Sequence, residues 1–205
     1  TALDSITIPE SVISIGAQVF DDTPWLEEQR KKNPLVIVNG ILIDGYSCEG
    51  DVIIPKSVTS IGIEAFSNCK NLTSITISDS VTSIGDYAFY GCEKLTSVII
   101  PDSITSIGYS VFSRCIDLTS ITIPDSITSI GPYAFYNCEN LASIILPDSV
   151  TSIRAMAFSG CQNLASITIP ASVTVIDAMT FLDCQNLTSI TIPASVTSIE
   201  YKAFY

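Results

Sequence analysis

Apolar residues fall on a fixed grid along this chain. The run Leu72-Thr73-Ser74-Ile75-Thr76-Ile77 alternates apolar and polar positions over β-branched residues, the pattern of a half-buried strand. The same frame recurs from Leu95, Leu118, Leu141, Leu164 and Leu187, in steps of 23 residues without insertion. Proline closes it at Pro55, Pro101, Pro124, Pro147, Pro170 and Pro193, with Ser78 once in that slot. Proline ends the strand and Asp-Ser makes the turn. A second apolar pair follows, such as Val81 and Ile84, and predicts a second, very short strand. Gly85, Gly108 and Gly131 come next, where a permissive backbone serves the corner. Ala88-Phe89 then opens a compact turn, of 3₁₀ or α type, that drives the ring inward. All eight phenylalanines share one register, from Phe20 through Phe66, Phe89, Phe112, Phe135, Phe158 and Phe181 to Phe204. Gly91, Asn137 and Gly160, each before a cysteine, predict a left-handed residue there. Arg114 and Asp183 in the same slot make that conformation preferred, not compulsory.

One such unit cannot bury both its strands and its phenylalanine. Stacked units can, because each covers its neighbour's apolar edge. Parallel pairing sets the rise at roughly 4.8 Å per unit, so equivalent side chains stack as columns. The expectation is one solenoid over residues 1–205, with two parallel ladders and a column of phenylalanine turns.

Phe20 to Phe66 is 46 residues, two periods, so residues 21–51 replace one unit without breaking the count. Asp22 or Thr23 caps a short helix that begins at Pro24 or Trp25. Glu27 and Glu28 lie early and Arg30, Lys31 and Lys32 late, as the helix dipole favours. Asn33 and Pro34 stop it. Leu35-Val36-Ile37-Val38, Asn39-Gly40 and Ile41-Leu42-Ile43 then read as a hairpin. The basic run is a solvated helix end in this reading.

The Leu-x-x-Ile-x-Ile-Pro, Ile-Gly-x-x-Ala-Phe and Cys-x-x-Leu segments, in a 23-residue unit, closely resemble the BspA-like leucine-rich-repeat family. The resemblance covers nearly all of the chain outside residues 21–51. It implies a right-handed superhelix of short parallel strands joined by short helical or 3₁₀ turns. It also implies an extracellular or cell-surface protein that adheres to host matrix or to other cells. It carries over no catalytic residue.

Composition narrows the classes further. The net charge of −12 repels phosphate backbones and anionic leaflets, which argues against nucleic-acid binding and membrane adsorption, and no membrane insertion is expected from the apolar pattern. No apolar run reaches 18 residues. The chain opens Thr1-Ala2-Leu3-Asp4, with no starting methionine and no visible signal peptide, and reads as a trimmed segment. No histidine is present, which removes Ser-His-Asp and Cys-His catalysis and the commonest metal ligand. No phosphate-binding glycine loop occurs. No cofactor is expected.

Several columns could carry chemistry. Cys69, Cys92, Cys115, Cys138, Cys161 and Cys184 share one register. We read them as a reduced core ladder, with disulfides or a metal as alternatives. Cysteine behaves as a small buried hydrophobe, and metal sites need clustered ligands. Cys48 is off-register and reads as the exposed, reactive thiol. Asp79, Asp102, Asp125 and Asp148 each open the turn after the strand, and Ala171 and Ala194 end that column. We read these carboxylates as turn residues that bond their own backbone, with Ca²⁺ as the alternative. Tyr87, Tyr90, Tyr109, Tyr133, Tyr136 and Tyr201 surround the phenylalanine turn, where tyrosine suits an interface or half-buried padding equally.

The lattice is broken at few places, and ligand contacts are sought there. Ile99 and Ile145 stand at an outward strand position otherwise held by threonine. Trp25, the only tryptophan, is either a binding anchor or a cover for the core beside the helix, and the cover is favoured. The glycine column ends at Arg154, Asp177 and Glu200. The expected function is non-enzymatic: adhesion, or binding of a protein or glycan on host matrix or other cells. The alternative is a structural spacer with no ligand. The chain closes on Ala203-Phe204-Tyr205 without a hydrophilic cap, which reads as a fragment of a longer array or as end-to-end self-association.

Overall fold

The computed structural model describes residues 2–205. The architecture is a parallel β-solenoid of about seven regular turns with a 23-residue period. Strands Gly50–Ile53, Leu72–Thr76, Ser97–Ile99, Ser120–Thr122, Ser143–Ile145 and Ser166–Ile167 pair side by side as the first ladder. A Thr168–Thr191 bridge carries it one unit further. Register is strict: Ser74 faces Ser97, Ile75 faces Val98 and Thr76 faces Ile99. The alternation is legible in burial, since Ile75, Val98, Ile121, Ile144 and Ile167 all point into the core.

The second ladder is made mostly of two-residue strands and has two breaks. Ser60–Ile61 pairs with Ser83–Ile84, Ser106–Ile107 with Ser129–Ile130 and Ser152–Ile153, and Val175–Ile176 with Ser198–Ile199. At the first break the Asp86 carboxylate enters the gap and accepts from the Tyr109 N–H at 2.9 Å. At the second, Asp177 turns its carboxylate back to the Ala178 N–H at 2.9 Å.

A third ladder runs through the turns. Alternate N–H groups bond within the unit, as Ala65 to Gly62 O, Ser67 to Glu64 O and Cys69 to Phe66 O. The N–H groups between them bond to the next unit, as Glu64 to Asp86 O, Phe66 to Ala88 O and Asn68 to Tyr90 O. This alternation needs two left-handed residues per unit, so the turn is not a helix. One column is Glu64, Tyr87, Ser110, Tyr133, Met156, Met179 and Lys202; the other holds Asn68, Gly91, Arg114, Asn137, Gly160 and Asp183. Arg114 at φ 61° and Asp183 at φ 58° adopt the conformation like their glycine counterparts. The slot is therefore compulsory, contrary to the expectation. Hydrogen bonds to both neighbouring units impose it, and they outweigh the strain on a non-glycine residue of about 1–2 kcal/mol.

Inside, Phe66, Phe89, Phe112, Phe135, Phe158, Phe181 and Phe204 stack with centroids 5.2 to 5.7 Å apart and ring planes within 14°. Phe20 leaves the stack and packs on Trp25 instead, at 4.6 Å. Gly45 closes the stack at its N-terminal end. A Cβ there would run into the Phe66 ring.

The variant unit holds one helix and one hairpin. Helix α1 spans Pro24–Lys32, with Thr23 as N-cap and proline in the first turn. Strands β1 (Val36–Val38) and β2 (Ile41–Asp44) form the antiparallel hairpin around Asn39-Gly40, both with positive φ. β2 then joins the second ladder beside Ser60–Ile61. Arg30 departs from the solvated reading. Its guanidinium makes a bidentate pair with the buried Asp44, at 2.9 and 2.5 Å, which ties the helix to β2. Lys31 and Lys32 remain exposed.

The first unit, residues 3–20, carries the repeat frame yet forms no paired strand. Its neighbour along the array is α1, and a helix offers no strand edge to bond. Trp25 N–H donates to Leu3 O, and Asn39 Nδ2 to Pro9 O and Val12 O. These bonds hold the unit in place. Thr23 Oγ1 accepts from Leu26 N–H at 3.2 Å and donates to Phe20 O at 2.6 Å. Thr23→Ala is expected to cost about 1–2 kcal/mol, and Thr23→Ser much less. Urea unfolding of the two variants checks this; equal losses would remove the capping role.

Candidate functional site

Most repeated polar residues serve the lattice. Each Cys thiol donates to a backbone carbonyl in the preceding unit: Cys92 to Phe66 O, Cys115 to Phe89 O, Cys138 to Phe112 O and Cys161 to Phe135 O, at 3.1 to 3.2 Å. That carbonyl already accepts the turn N–H, so the thiol satisfies its second lone pair. Cysteine is thus chosen as a small apolar group with a donor. All seven cysteines are free. Burial pushes the thiols up, Cys69 to about 11 and Cys138 and Cys184 to about 12.

Cys48 corrects its expectation. It is 3% exposed, its thiol faces Pro34 O at 3.6 Å, and burial raises it to about 12. Its N–H bonds Gly45 O as the Cys69 N–H bonds Phe66 O, so it takes the cysteine place of the variant turn and packs into the main core. A buried, protonated thiol is not a nucleophile.

The Asp column also differs from its reading. Asp79, Asp102, Asp125 and Asp148 are exposed, and among the described residues their carboxylates make no turn bond. The backbone closes the turn instead, as Ile104 N–H to Pro101 O. The following serine takes the side-chain role, with Ser103 Oγ bonding Val81 O, Ser126 Oγ bonding Ile104 O and Ser149 Oγ bonding Ile127 O. No cluster of three or more metal-ligating side chains occurs among the described residues.

Tyr87, Tyr90, Tyr109, Tyr133 and Tyr136 form one connected patch on the turn face. Tyr87, Tyr109 and Tyr133 follow one another at 5.1 and 5.4 Å, and Tyr90 and Tyr136 pack edge-on beside them. Arg114 Nη1 donates to the Tyr90 hydroxyl at 3.3 Å. A shared hydrogen bond with Tyr87 raises the Tyr109 hydroxyl above its ordinary value. The rings are largely occupied with one another.

Two features stand apart from the lattice. The first lies on the outward side of the first ladder. Ile99 is 60% exposed and Ile145 is 82% exposed. Ile53, missed by the sequence reading, completes their row at 74%. The register runs Ile53, Thr76, Ile99, Thr122, Ile145 across adjacent strands, so an isoleucine recurs every second rung. Two rungs are roughly 9.6 Å. The signal for Ile53 was its distance of 46 residues from Ile99, hidden because the strand leaves the variant unit. Trp25, the other proposed contact, is half-buried against Phe20 and sits apart from this row.

The second is a groove of about 440 Å³ at the second break in the short ladder. Arg154, Asp177 and Glu200, where the glycine column ends, line it together with Val175 and Tyr201. At Gly85 the neighbouring rungs are in near contact: a Cβ there would lie 2.5 Å from Ile63 N. Arg154 and Asp177 are consecutive side chains in that column, and the strands that precede them, Ser152–Ile153 and Val175–Ile176, do not pair. Pairing resumes between Val175–Ile176 and Ser198–Ile199.

Short parallel strands, a fixed 23-residue register and inward Leu, Ile and Phe columns define a leucine-rich-repeat solenoid. The family described as BspA type Leucine rich repeat region matches in six copies over residues 1–38, 46–124 and 106–205. The chain belongs to this family. It is similar to a leucine-rich-repeat protein of T. pallidum, at 33% identity and a TM-score of 0.70 over 73% of this chain and 72% of that one. It is similar to one of Eubacterium ventriosum, at 30% identity and a TM-score of 0.73 over 80% of this chain and 45% of that one. A leucine rich cell surface protein of Faecalibacterium prausnitzii is 35% identical, with a TM-score of 0.63 over 91% of this chain and 45% of that one. The chain thus spans less than half the length of the latter two. No curated protein matches at a significant level. No helix among the described residues is long and apolar enough to cross a membrane.

Proposed function

We propose that this chain is a non-enzymatic, cell-surface binding module that contacts a protein or glycan on host matrix or other cells. One observation carries the reading: a row of exposed isoleucines on an otherwise Ser/Thr sheet face. A rigid parallel ladder holds these side chains, so little conformational freedom is lost when a partner covers them. The flanking hydroxyls supply hydrogen bonds at the rim. An aliphatic row of this kind favours a protein partner. Similarity to a leucine rich cell surface protein supports the location.

Covering one isoleucine contributes about 1.5–3 kcal/mol. Ile99→Asp with Ile145→Asp is therefore expected to weaken binding to immobilised matrix proteins by at least about tenfold, with unchanged circular dichroism. Surface plasmon resonance over a panel of matrix proteins and cell-surface glycans reads this. Binding that survives the double substitution would move the site elsewhere. The spacer reading has its own support in the uniform threonine column Thr59, Thr82, Thr105, Thr128, Thr151, Thr174 and Thr197. Silence across the whole panel would select it.

A further inference from the structure

We propose that the groove at Arg154, Asp177 and Glu200 is a saccharide subsite, separate from the isoleucine row. Four departures from the repeat meet at this one place. Arg154, Asp177 and Glu200 replace glycine, and Val175 replaces the serine of its column. The ladder pairing between Ser152–Ile153 and Val175–Ile176 is absent, and a groove of about 440 Å³ stands in its stead.

The charges in the groove are unspent. Arg154 makes no side-chain hydrogen bond or ion pair among the described residues, although two carboxylates share its groove. Asp177 keeps one carboxylate oxygen on Ala178 N–H, and Glu200 accepts from Ser198 Oγ at 2.5 Å. Each carboxylate thus retains acceptor capacity toward the groove, and the guanidinium retains its fork of donors.

This mixture selects the ligand chemistry. A phosphate would gain one guanidinium but face two carboxylates. A metal cation would gain the carboxylates but face the guanidinium. A sugar's vicinal hydroxyls donate and accept at once, so they use both kinds of group together. The wall suits the rest of the ring: Val175 meets its C–H face, while the exposed Tyr201 offers a ring face and a hydroxyl. The groove is open along the surface, which admits one residue of a longer glycan chain. A free amino acid carries complementary charges too, but its two ions would stay in water here and gain little.

The test uses saturation-transfer NMR on the whole chain. The probes are glucose, galactose, mannose, N-acetylglucosamine and N-acetylgalactosamine, with glycine and betaine as zwitterionic controls. At least one sugar is expected to receive saturation. Arg154→Gly with Asp177→Gly installs the repeat residue at both positions and removes the guanidinium and one carboxylate from the groove. It is expected to lose that signal by at least about tenfold, the loss of one to two charged hydrogen bonds, with an unchanged circular dichroism spectrum. Tyr201→Ala provides a second variant that leaves the ladder bonds untouched and weakens the same signal. Ile99→Asp with Ile145→Asp is expected to leave the sugar signal intact, so this site and the isoleucine row fail independently. No saturation of any sugar, saturation of the zwitterions alone, or a signal indifferent to both groove variants would overturn the assignment.

Discussion

Phe135→Ala is expected to destabilise the solenoid by about 4 kcal/mol. Phe135 is fully buried between Phe112 at 5.6 Å and Phe158 at 5.4 Å. Truncation forfeits the transfer energy of the ring and two stacked contacts, and it leaves a void that a paired backbone cannot collapse around. Each unit touches only its neighbours, so a gap at the centre weakens both interfaces it shares. Phe204 serves as the internal comparison. It stacks on one side only and is 43% exposed. Phe204→Ala is expected to cost about 1 kcal/mol. Urea unfolding followed by circular dichroism checks the pair. Similar losses at both positions would mean that the ring column is filler, with the ladders alone holding the units together.

Alkaline pH is expected to unfold the chain well before it perturbs an ordinary acidic domain. The thiols titrate at 9.0 when unburied, whereas burial pushes Cys69 to about 11 and Cys48, Cys138 and Cys184 to about 12. Burial raises Cys92, Cys115 and Cys161 as well. A raised thiol favours the protonated, folded state. The stabilisation is therefore complete below pH 9, where both states hold the proton. It is lost as pH rises from 9 toward 11 and 12, because only the unfolded chain releases protons in that window. Each thiol contributes about 1.4 kcal/mol per pH unit there. Urea midpoints at pH 8, 9, 10 and 10.5 should fall with increasing slope. Cys115→Ala with Cys138→Ala should shallow that slope by two protons while lowering stability at pH 7. A flat midpoint between pH 8 and 10.5 would contradict the buried, protonated ladder.

The solenoid was legible because its repeat writes each core position many times. Leu72, Ile75, Phe89 and Cys92 can each be read against several equivalents, and the structure buries them all. The variant unit was legible for a different reason. Thr23, Pro24, Asn33 and Asn39-Gly40 are local signals, and helix caps and two-residue turns are local structures. Errors arose where a neighbour in space, not in sequence, set the outcome. Cys48 looked exposed because its register was off, yet the irregular segment encloses it. The column through Glu64, Tyr87 and Met156 carries no residue type that announces positive φ; hydrogen bonds to the next unit hold it there. Residues 3–8 carry a strand pattern without a strand, because the rung beside them is a helix.

The candidate sites divide along the same line. The amino-acid sequence by itself determined the period, the two ladders, the inward columns and the positions where the pattern lapses, since these depend on side-chain type at fixed spacing. Only the tertiary structure decided what the lapses do. At Asp86 the side chain plugs the break in the ladder, while at Asp177 it leaves a groove. Ile53 joins Ile99 and Ile145 only when parallel pairing lays strands 46 residues apart onto one face. Cys48 lies inside the variant unit and Ile53 just beyond it, yet one is sealed and the other is exposed. Burial is a property of what packs alongside, and in a solenoid that is always another turn of the chain.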